Sequence, residues 1–593
     1  MNYTIAGNHA HFSWVDHTMF ALMLVVSTVV GVLIGVCGKQ DTKVDYLLGG
    51  KKMSVIPIAV SLIFSHVSGI SIVALPTEYY TYGAMYFNQF FAGLITCIIT
   101  ISVFLPIFFE LQITSTYEYL ELRFDKNVRT MASFLFACSL ILYLPIVIYT
   151  PALAFNEVSG LSVHLVTSVV CIVCMLYTML GGMKAVVWTD FLQSFVTVSS
   201  CIAIICVGLA KTGGFNVMWD RSGKGGRLEI FDFNPDPFER NTYWTVVVGS
   251  TFHWMFSLGI NQGMVQKFIA LPSLKKARLS LVIFFFGYLL MKTLVLLIGL
   301  VIYSNYYQCD PVTSKVIDKA DQIVPFFAMD AAAHIPGLPG LFVAGIFSAC
   351  LSTLSSNFNC LSATIFEDFI SPLIKGKKSF ESKIPYILKG IVILTGMICL
   401  LMVLVVEKMG GIFQVASTLA GITSGATLGM FFLGMFIPWA NWKGCLAGSI
   451  TSLVIMTWIT TGAQVYKGTG IERFPYAPMS TEGCEEIFNF TAPVTPTPTA
   501  LPPGMGDDAF ILYKISFNYY CLVGATIVVV VGLAVSYFTG FQDPKTVDAR
   551  LLVWFMKKYG DSRKADVQHP SEKEMLNITT ECIPNDSKNN HLS

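Results

Sequence analysis

Long apolar runs recur along the chain, at 18–37, 84–108, 186–210, 280–303, 390–406, 428–440, 445–460 and 519–537. Several approach the roughly 20 residues that cross the hydrocarbon of a bilayer. Allowing for interruption by Gly, Pro or polar residues, the pattern predicts thirteen spans, near 14–37, 54–82, 84–108, 130–157, 162–180, 186–209, 242–264, 280–303, 338–365, 384–407, 411–438, 444–462 and 516–538. Barrel strands would be shorter and would alternate in polarity. The expected fold class is therefore an all-α polytopic membrane protein.

Composition points the same way. Of 593 residues, 54% are hydrophobic and 13% charged, with a mean hydropathy of +0.64. That is too little charge to cover a soluble surface of this size. The net charge of +1 matters less than its distribution. With the amino terminus outside, 26 of the 38 Lys and Arg fall on the cytoplasmic side and 11 outside, while Lys292 lies within a span. This is the basic-inside bias of membrane proteins, and it leaves the tail cytoplasmic. No Lys or Arg precedes the first run, which reads as an uncleaved span rather than a signal peptide.

Most of the 15 cysteines lie within spans, as small apolar residues. Under this topology only Cys309 and Cys484 are exterior, either as one disulfide or as two free thiols. The sequons at Asn2 and Asn489 face outside and are candidate glycosylation sites, whereas Asn577 is cytoplasmic. The exterior loop 463–515 carries the Thr/Pro stretch "TAPVTPTPTALPPG", and the tail holds a short amphipathic piece, "ARLLVWFMKKY". No P-loop, dinucleotide fingerprint, H-E-x-x-H or paired-cysteine zinc pattern occurs. The chain is thus read as no enzyme, with no cofactor and no nucleic-acid partner.

Two spans look broken. Ser65, His66, Ser68 and Gly69 interrupt the second, and His253, Ser257, Gly259, Asn261, Gln262 and Gly263 interrupt the seventh. Breaks five spans apart suit two five-helix repeats of opposite orientation, each opening with a discontinuous helix. Close packing through small residues is the alternative. The ninth span, "GIFSACLSTLSSNFN" (345–359), carries Ser348, Ser352, Ser355 and Asn359 on one helical face, with Thr353 beside it. Hydroxyls without a carboxylate or histidine suit a small hard cation. They equally suit back-bonding to the i−4 carbonyl, and the residues alone leave both readings open.

Four stretches carry a resemblance: "GGMKAVVWTDFLQ" (181–193), "NQGMVQKF" (261–268), "SACLSTLSSNFN" (348–359) and "GGIFQVASTLAGITSGATLGMFFLGMFIPWAN" (410–441). Together they resemble the sodium/solute symporter family, in the branch of monocarboxylate, multivitamin and iodide transporters, over about residues 14–538. The resemblance implies the inverted five-plus-five repeat of bacterial leucine-transporter-like proteins, with sodium as coupling ion. It implies a sodium site made of the carbonyls of Phe64, Val67 and Ala349 and the hydroxyls of Ser352 and Thr353. The layout expected is an exterior N-terminus and first span (1–37), a first repeat (54–209), an exterior loop (210–241) and a second repeat (242–438). Span 12 (444–462), the Thr/Pro loop (463–515), span 13 (516–538) and a cytoplasmic tail (539–593) follow.

Asp190 belongs to the signature and is expected at the inner gate or ion exit, with a helix cap as the alternative. Lys267 stands where the family usually has Arg, which keeps charge but loses the bidentate fork. Substrate candidates are His66, Ser68, Tyr143, Trp254 and Gln414, each with a plain packing or hydrogen-bonding role as its alternative. No buried Arg is expected in the cavity, so a small anion would bind through dipoles, hydroxyls and the sodium itself. The reading is a sodium-coupled symporter importing a small monocarboxylate or similar organic anion across the plasma membrane. Iodide or a vitamin as cargo, or a sodium-gated sensor or leak channel, are the alternatives.

Overall fold

The computed structural model describes residues 12–37, 42–317, 320–332, 335–374, 383–407, 412–468, 474, 476–484 and 510–561. The sequons at Asn2, Asn489 and Asn577 lie outside the described residues, as does most of the Thr/Pro loop. The described chain is helical throughout its apolar runs, with one isolated β-bridge between Asp548 and Asp561. Nine of its helices are long and apolar enough to cross a membrane, or ten if Lys43–Lys51 and Val55–His66, bent by 110°, form one span.

From the amino-terminal side the helices are α1 (Trp14–Cys37), α2 (Lys43–Leu48), α3 (Val55–His66), α4 (Gly69–Tyr82), α5 (Gln89–Ile99), α6 (Leu105–Leu111) and α7 (Glu118–Arg123). Then come α8 (Lys126–Ser159), α9 (Val163–Thr212), α10 (Phe215–Lys224), α11 (Ser250–Trp254), α12 (Gln262–Ile269) and α13 (Leu274–Asn305). The remainder are α14 (Ile323–Ala332), α15 (Leu338–Thr364), α16 (Ser371–Ile374), α17 (Ile384–Val406), α18 (Ile412–Phe436), α19 (Trp442–Gly468) and α20 (Tyr520–Phe538).

Both suspected breaks are present. The helical ladder of α3 stops with the Val67 amide on the Ile63 carbonyl, and Val67 and Ser68 take extended backbone before α4 begins. Ser68 caps α4, its hydroxyl accepting from the Ser71 amide at 3.4 Å. Gly69 sits close against α15, since a Cβ there would lie 3.4 Å from the Ile346 carbonyl. In the other broken span, α11 runs into a π-helical stretch, Met255–Ile260, which ends at Asn261 (φ −53°, ψ 130°). Asn261 then caps α12 through the Gly263 amide at 2.9 Å. π-Helical turns often mark functional positions.

The spans expected at 162–180 and 186–209 are the two parts of α9, which meet at a reversed backbone at Gly182 (φ 48°, ψ −147°). A Cβ at Gly182 would meet the Tyr46 carbonyl at 2.6 Å, so only Gly fits both the conformation and the space. A straight helix of fifty residues would extend about 75 Å, more than twice the hydrocarbon thickness of roughly 30 Å, and the kink at Gly182 divides the run into two lengths that each suffice to cross it.

The Ser-rich α15 lies at the centre. Of its most apolar stretch, 89% is buried, against 22% for the peripheral α1. Protein therefore surrounds it on all sides, which removes the need for a lipid-facing apolar stripe and favours small side chains.

Two peripheral features differ in kind. On one face, Arg240 forks onto Glu78 at 2.9 and 2.8 Å, with Asn241 also on that carboxylate, and Cys309 is bonded to Cys484. Burial acts to lower the Arg240 guanidinium, but the Glu78 carboxylate outweighs it and holds the group above its ordinary range. The amphipathic segment expected in the tail takes the form of short turns rather than a continuous helix. Residues 544–559 form three 3₁₀ turns, with Leu551, Leu552 and Val553 buried. The Val553 amide bonds to the Met435 carbonyl at 3.1 Å and the Tyr119 hydroxyl to the Leu551 carbonyl at 2.9 Å. Arg123 ties the end of α18 to this segment, donating to the carbonyls of Gly434 and Pro438 and to Gln542. Leu551, Leu552 and Val553 thus pack against protein, while Trp554, Phe555 and Tyr559 of the same segment are exposed.

Candidate functional site

The interruption of α3 leaves its last carbonyls without helical partners. The Phe64 carbonyl is taken up from α15: it accepts the hydroxyls of Ser352 at 3.2 Å and Thr353 at 3.4 Å. Thr353 also reaches back to the Ala349 carbonyl at 3.1 Å. Phe64, Ala349, Ser352 and Thr353 thus meet in one buried place, and Val67 is the residue at which the α3 ladder ends. Oxygens about 3–3.5 Å apart are spaced as neighbours in the shell of a cation held at roughly 2.4 Å. Every donor in the set is a neutral oxygen, which fits a small hard monovalent ion. The back-bonding alternative is also realised in part, by Thr353 onto Ala349 and by Ser355 onto the Ser352 carbonyl at 3.1 Å.

A second polar cluster adjoins this one. Asp190 is completely buried, eight residues beyond the reversal at Gly182, so it does not cap a helix start. One carboxylate oxygen accepts from Ser61 at 2.5 Å and Ser356 at 3.3 Å and pairs with Lys267 at 3.7 Å. The other has no hydrogen-bond partner. Lys267 donates to the Ser61 carbonyl at 3.1 Å, to Ser65 at 2.5 Å and to Ser356 at 2.9 Å. The ammonium spreads its three N–H groups over serine oxygens and meets the carboxylate only as a point charge, which is the geometry a lysine allows where an arginine would fork.

Beside the helix break lies a cavity of about 340 Å³, a volume suited to a small organic solute. His66, Ser68, Tyr143 and Trp254 all line it. His66 packs against Trp254 and Phe284, with ring centroids 4.9 and 5.5 Å away, and its Nδ1 lies 3.3 Å from the Ser257 hydroxyl. The hydrogen-bonding role expected as the alternative for His66 is thus realised, with the Ser257 hydroxyl as partner. The His66 Nε2 and the Trp254 Nε1 are buried without partners. Gln414 lies on α18 in a stretch whose side chains are outside the described residues.

Sequence reasoning passed over Lys292 and Gln89, which line the same cavity. Lys292 had been noticed as a charge within a span, and intramembrane charge is itself a functional signal. Its partner Gln89 stands 203 residues earlier, so no local pattern joins them.

The sequence profile of the Sodium:solute symporter family matches residues 46–452. The sodium-coupled monocarboxylate transporter 2 of Mus musculus is 37% identical over 94% of this chain and 90% of its own length. The sodium-coupled monocarboxylate transporter 1 of Xenopus laevis is 39% identical, over 90% and 87%. The Homo sapiens sodium/iodide cotransporter is 35% identical, over 92% and 87%. Among solved structures, a substrate-bound, outward-open Na⁺-coupled sialic acid symporter superposes with a TM-score of 0.72 at 22% identity, covering 90% of this chain and 99% of that one. That likeness concerns the fold. With a profile spanning most of the helical core and relatives matched over nearly their full length, the chain belongs to the sodium:solute symporter family.

Proposed function

We propose that this protein is a sodium-coupled symporter that imports a small monocarboxylate by alternating access. The observation that carries the reading is the meeting of the Phe64 carbonyl with the Ser352 and Thr353 hydroxyls beside the break in α3–α4, which also walls the cavity. Sodium is assigned to the oxygens of Phe64, Val67, Ala349, Ser352 and Thr353. Solute is assigned to the cavity, with His66, Ser68, Tyr143, Trp254 and Gln414 as its contacts. One broken helix then serves both ligands, so filling one site organises the other. Linkage requires that sodium raise solute affinity by the same factor as solute raises sodium affinity.

Thirteen crossings are proposed, with α9 divided at Gly182 and α3–α4 counted as one broken span. Residues 54–209 and 242–438 form the two repeats, opening at the breaks by Ser68 and Asn261. The amino terminus is placed outside and the tail in the cytoplasm of a plasma-membrane protein, by the distribution of Lys and Arg. Asp190 and Lys267 are assigned to the inner gate, where the unpaired carboxylate oxygen offers departing sodium a charged stop. Asn2 and Asn489 are assigned as glycan sites. If two ions enter per cycle, at roughly 70 mV and a tenfold gradient they release about 6 kcal/mol, a ~10⁴-fold accumulation of a neutral solute. A monovalent anion climbs the potential and accumulates less.

Iodide is the second reading, favoured by the near-equal similarity to an iodide cotransporter. Sodium-dependent uptake of labelled pyruvate, iodide and biotin in oocytes separates the cargoes. Pyruvate accumulation is the expected result, and indifference to all three rejects the proposed function.

A further inference from the structure

Among the described residues that line the cavity, Lys292 is the one Lys, Arg, Asp or Glu. It is 7% exposed, in the second half of α13. Its ammonium makes one hydrogen bond, to the Gln89 Oε1 at 2.6 Å. Among the described residues its other two N–H groups have no acceptor. They face the rings of Tyr288 and Tyr86, whose centroids are 5.3 and 5.6 Å from Nζ. Gln89 is itself fully committed, accepting also from the Tyr288 hydroxyl at 3.2 Å and donating to the Tyr86 hydroxyl at 2.8 Å. This frame fixes the ammonium without neutralising it. An ammonium held inside a membrane protein is costly, and aromatic faces offset only part of that cost.

Two ring nitrogens of the cavity lining are buried without a hydrogen-bond partner among the described residues: the indole N–H of Trp254 and the Nε2 of His66. A cation, an N–H and an imidazole around a space of small-solute size form a recognition set for a planar anion with two oxygens. Resting on the symport reading above, we propose that Lys292 is the countercharge for the substrate carboxylate, with Trp254 and His66 completing its recognition. The site is then selective for monocarboxylates over uncharged analogues of the same shape. It holds the anion by the protein's own charge rather than by that of the coupled sodium. A role confined to holding Gln89 is the competing account.

The test is pyruvate uptake by the full-length protein in oocytes, with surface biotinylation, for wild type, Lys292→Met and Lys292→Arg. Losing one partner of a buried charge pair is expected to raise the KM for pyruvate about 30-fold or more, with half-saturating sodium and maximal rate much less affected. Lys292→Arg is expected to recover much of the affinity, which a merely structural role for the lysine does not predict. An unchanged KM in Lys292→Met overturns the assignment. Should that variant fail to reach the surface, competition on the wild type decides. Pyruvamide, which lacks the charge, is expected to compete at least about 30-fold more weakly than pyruvate, and equal competition overturns the assignment. Absence of sodium-dependent monocarboxylate uptake by the wild type fails the function proposed above, and the carboxylate assignment with it. Normal uptake with an indifferent Lys292→Met fails only the lysine.

Discussion

Two lysines are buried among the described residues, and their surroundings are opposite. Lys267 sits 3.7 Å from Asp190 and bonds to three serine oxygens, one of them a backbone carbonyl. Lys292 has the side-chain oxygen of Gln89 and two aromatic faces, and no carboxylate within the cavity it lines. Removing a partner from a closed network strands a charge, whereas removing an open charge strands nothing. The first arrangement is the one we propose as a gate, and the second the one we propose for the substrate anion.

The comparison breaks most visibly at Asp190. Asp190→Ala leaves Lys267 buried and uncompensated, with an expected cost of about 3–5 kcal/mol. Thermal unfolding of the detergent-purified protein should show a large drop, and transport should be lost. The double variant Asp190→Asn/Lys267→Met should recover most of that stability, because no charge is left stranded. Additive losses would mean that the two groups do not act as a pair.

The fork of Arg240 on Glu78 supplies an intermediate case. Arg240→Gln leaves the buried Glu78 carboxylate with only the Asn241 amide of its present partners. A loss of about 1.5–3 kcal/mol follows for a charged hydrogen bond, again read by thermal unfolding. Lys292→Met should cost less than either, or stabilise, since Gln89 keeps both of its tyrosines. A drop as large as that of Asp190→Ala would erase the distinction between the two lysines. Smallest of all is Lys557→Ala. Its pair with Glu110 is exposed on both sides, so no more than about 1 kcal/mol is expected.

Much of this was legible in the chain itself. Ser and Gly clusters at 65–69 and 257–263 announced helix breaks, and the backbone departs from helix at Val67–Ser68 and at Asn261. The three-to-four spacing in 348–359 announced a polar face because that spacing is local. The depth of Asp190 was not legible. A residue four positions into an apolar run looks like a helix start, and only the reversal at Gly182 shows that a full helical stretch precedes it. The packing of the tail was hidden for a related reason. "ARLLVWFMKKY" has an amphipathic composition, and Tyr119, more than four hundred positions earlier, holds its Leu551 side in turns against protein while Trp554 and Phe555 stay exposed. Contacts at that separation leave no trace in periodicity. Lys292 shows the same limit, as its charge was plain in the sequence and its frame was not.

The account depends on sodium being held between α3 and α15 while its entry drives the solute. Labelled pyruvate uptake as a function of sodium, in the wild type and in Ser352→Ala/Thr353→Ala at matched surface abundance, tests this most directly. Replacing all sodium with choline should abolish wild-type accumulation, and the double variant should need about tenfold more sodium or better for half-maximal uptake, from the loss of roughly 1 kcal/mol or more of ligation. Accumulation that persists in choline, or a double variant with the wild-type sodium curve, would contradict it.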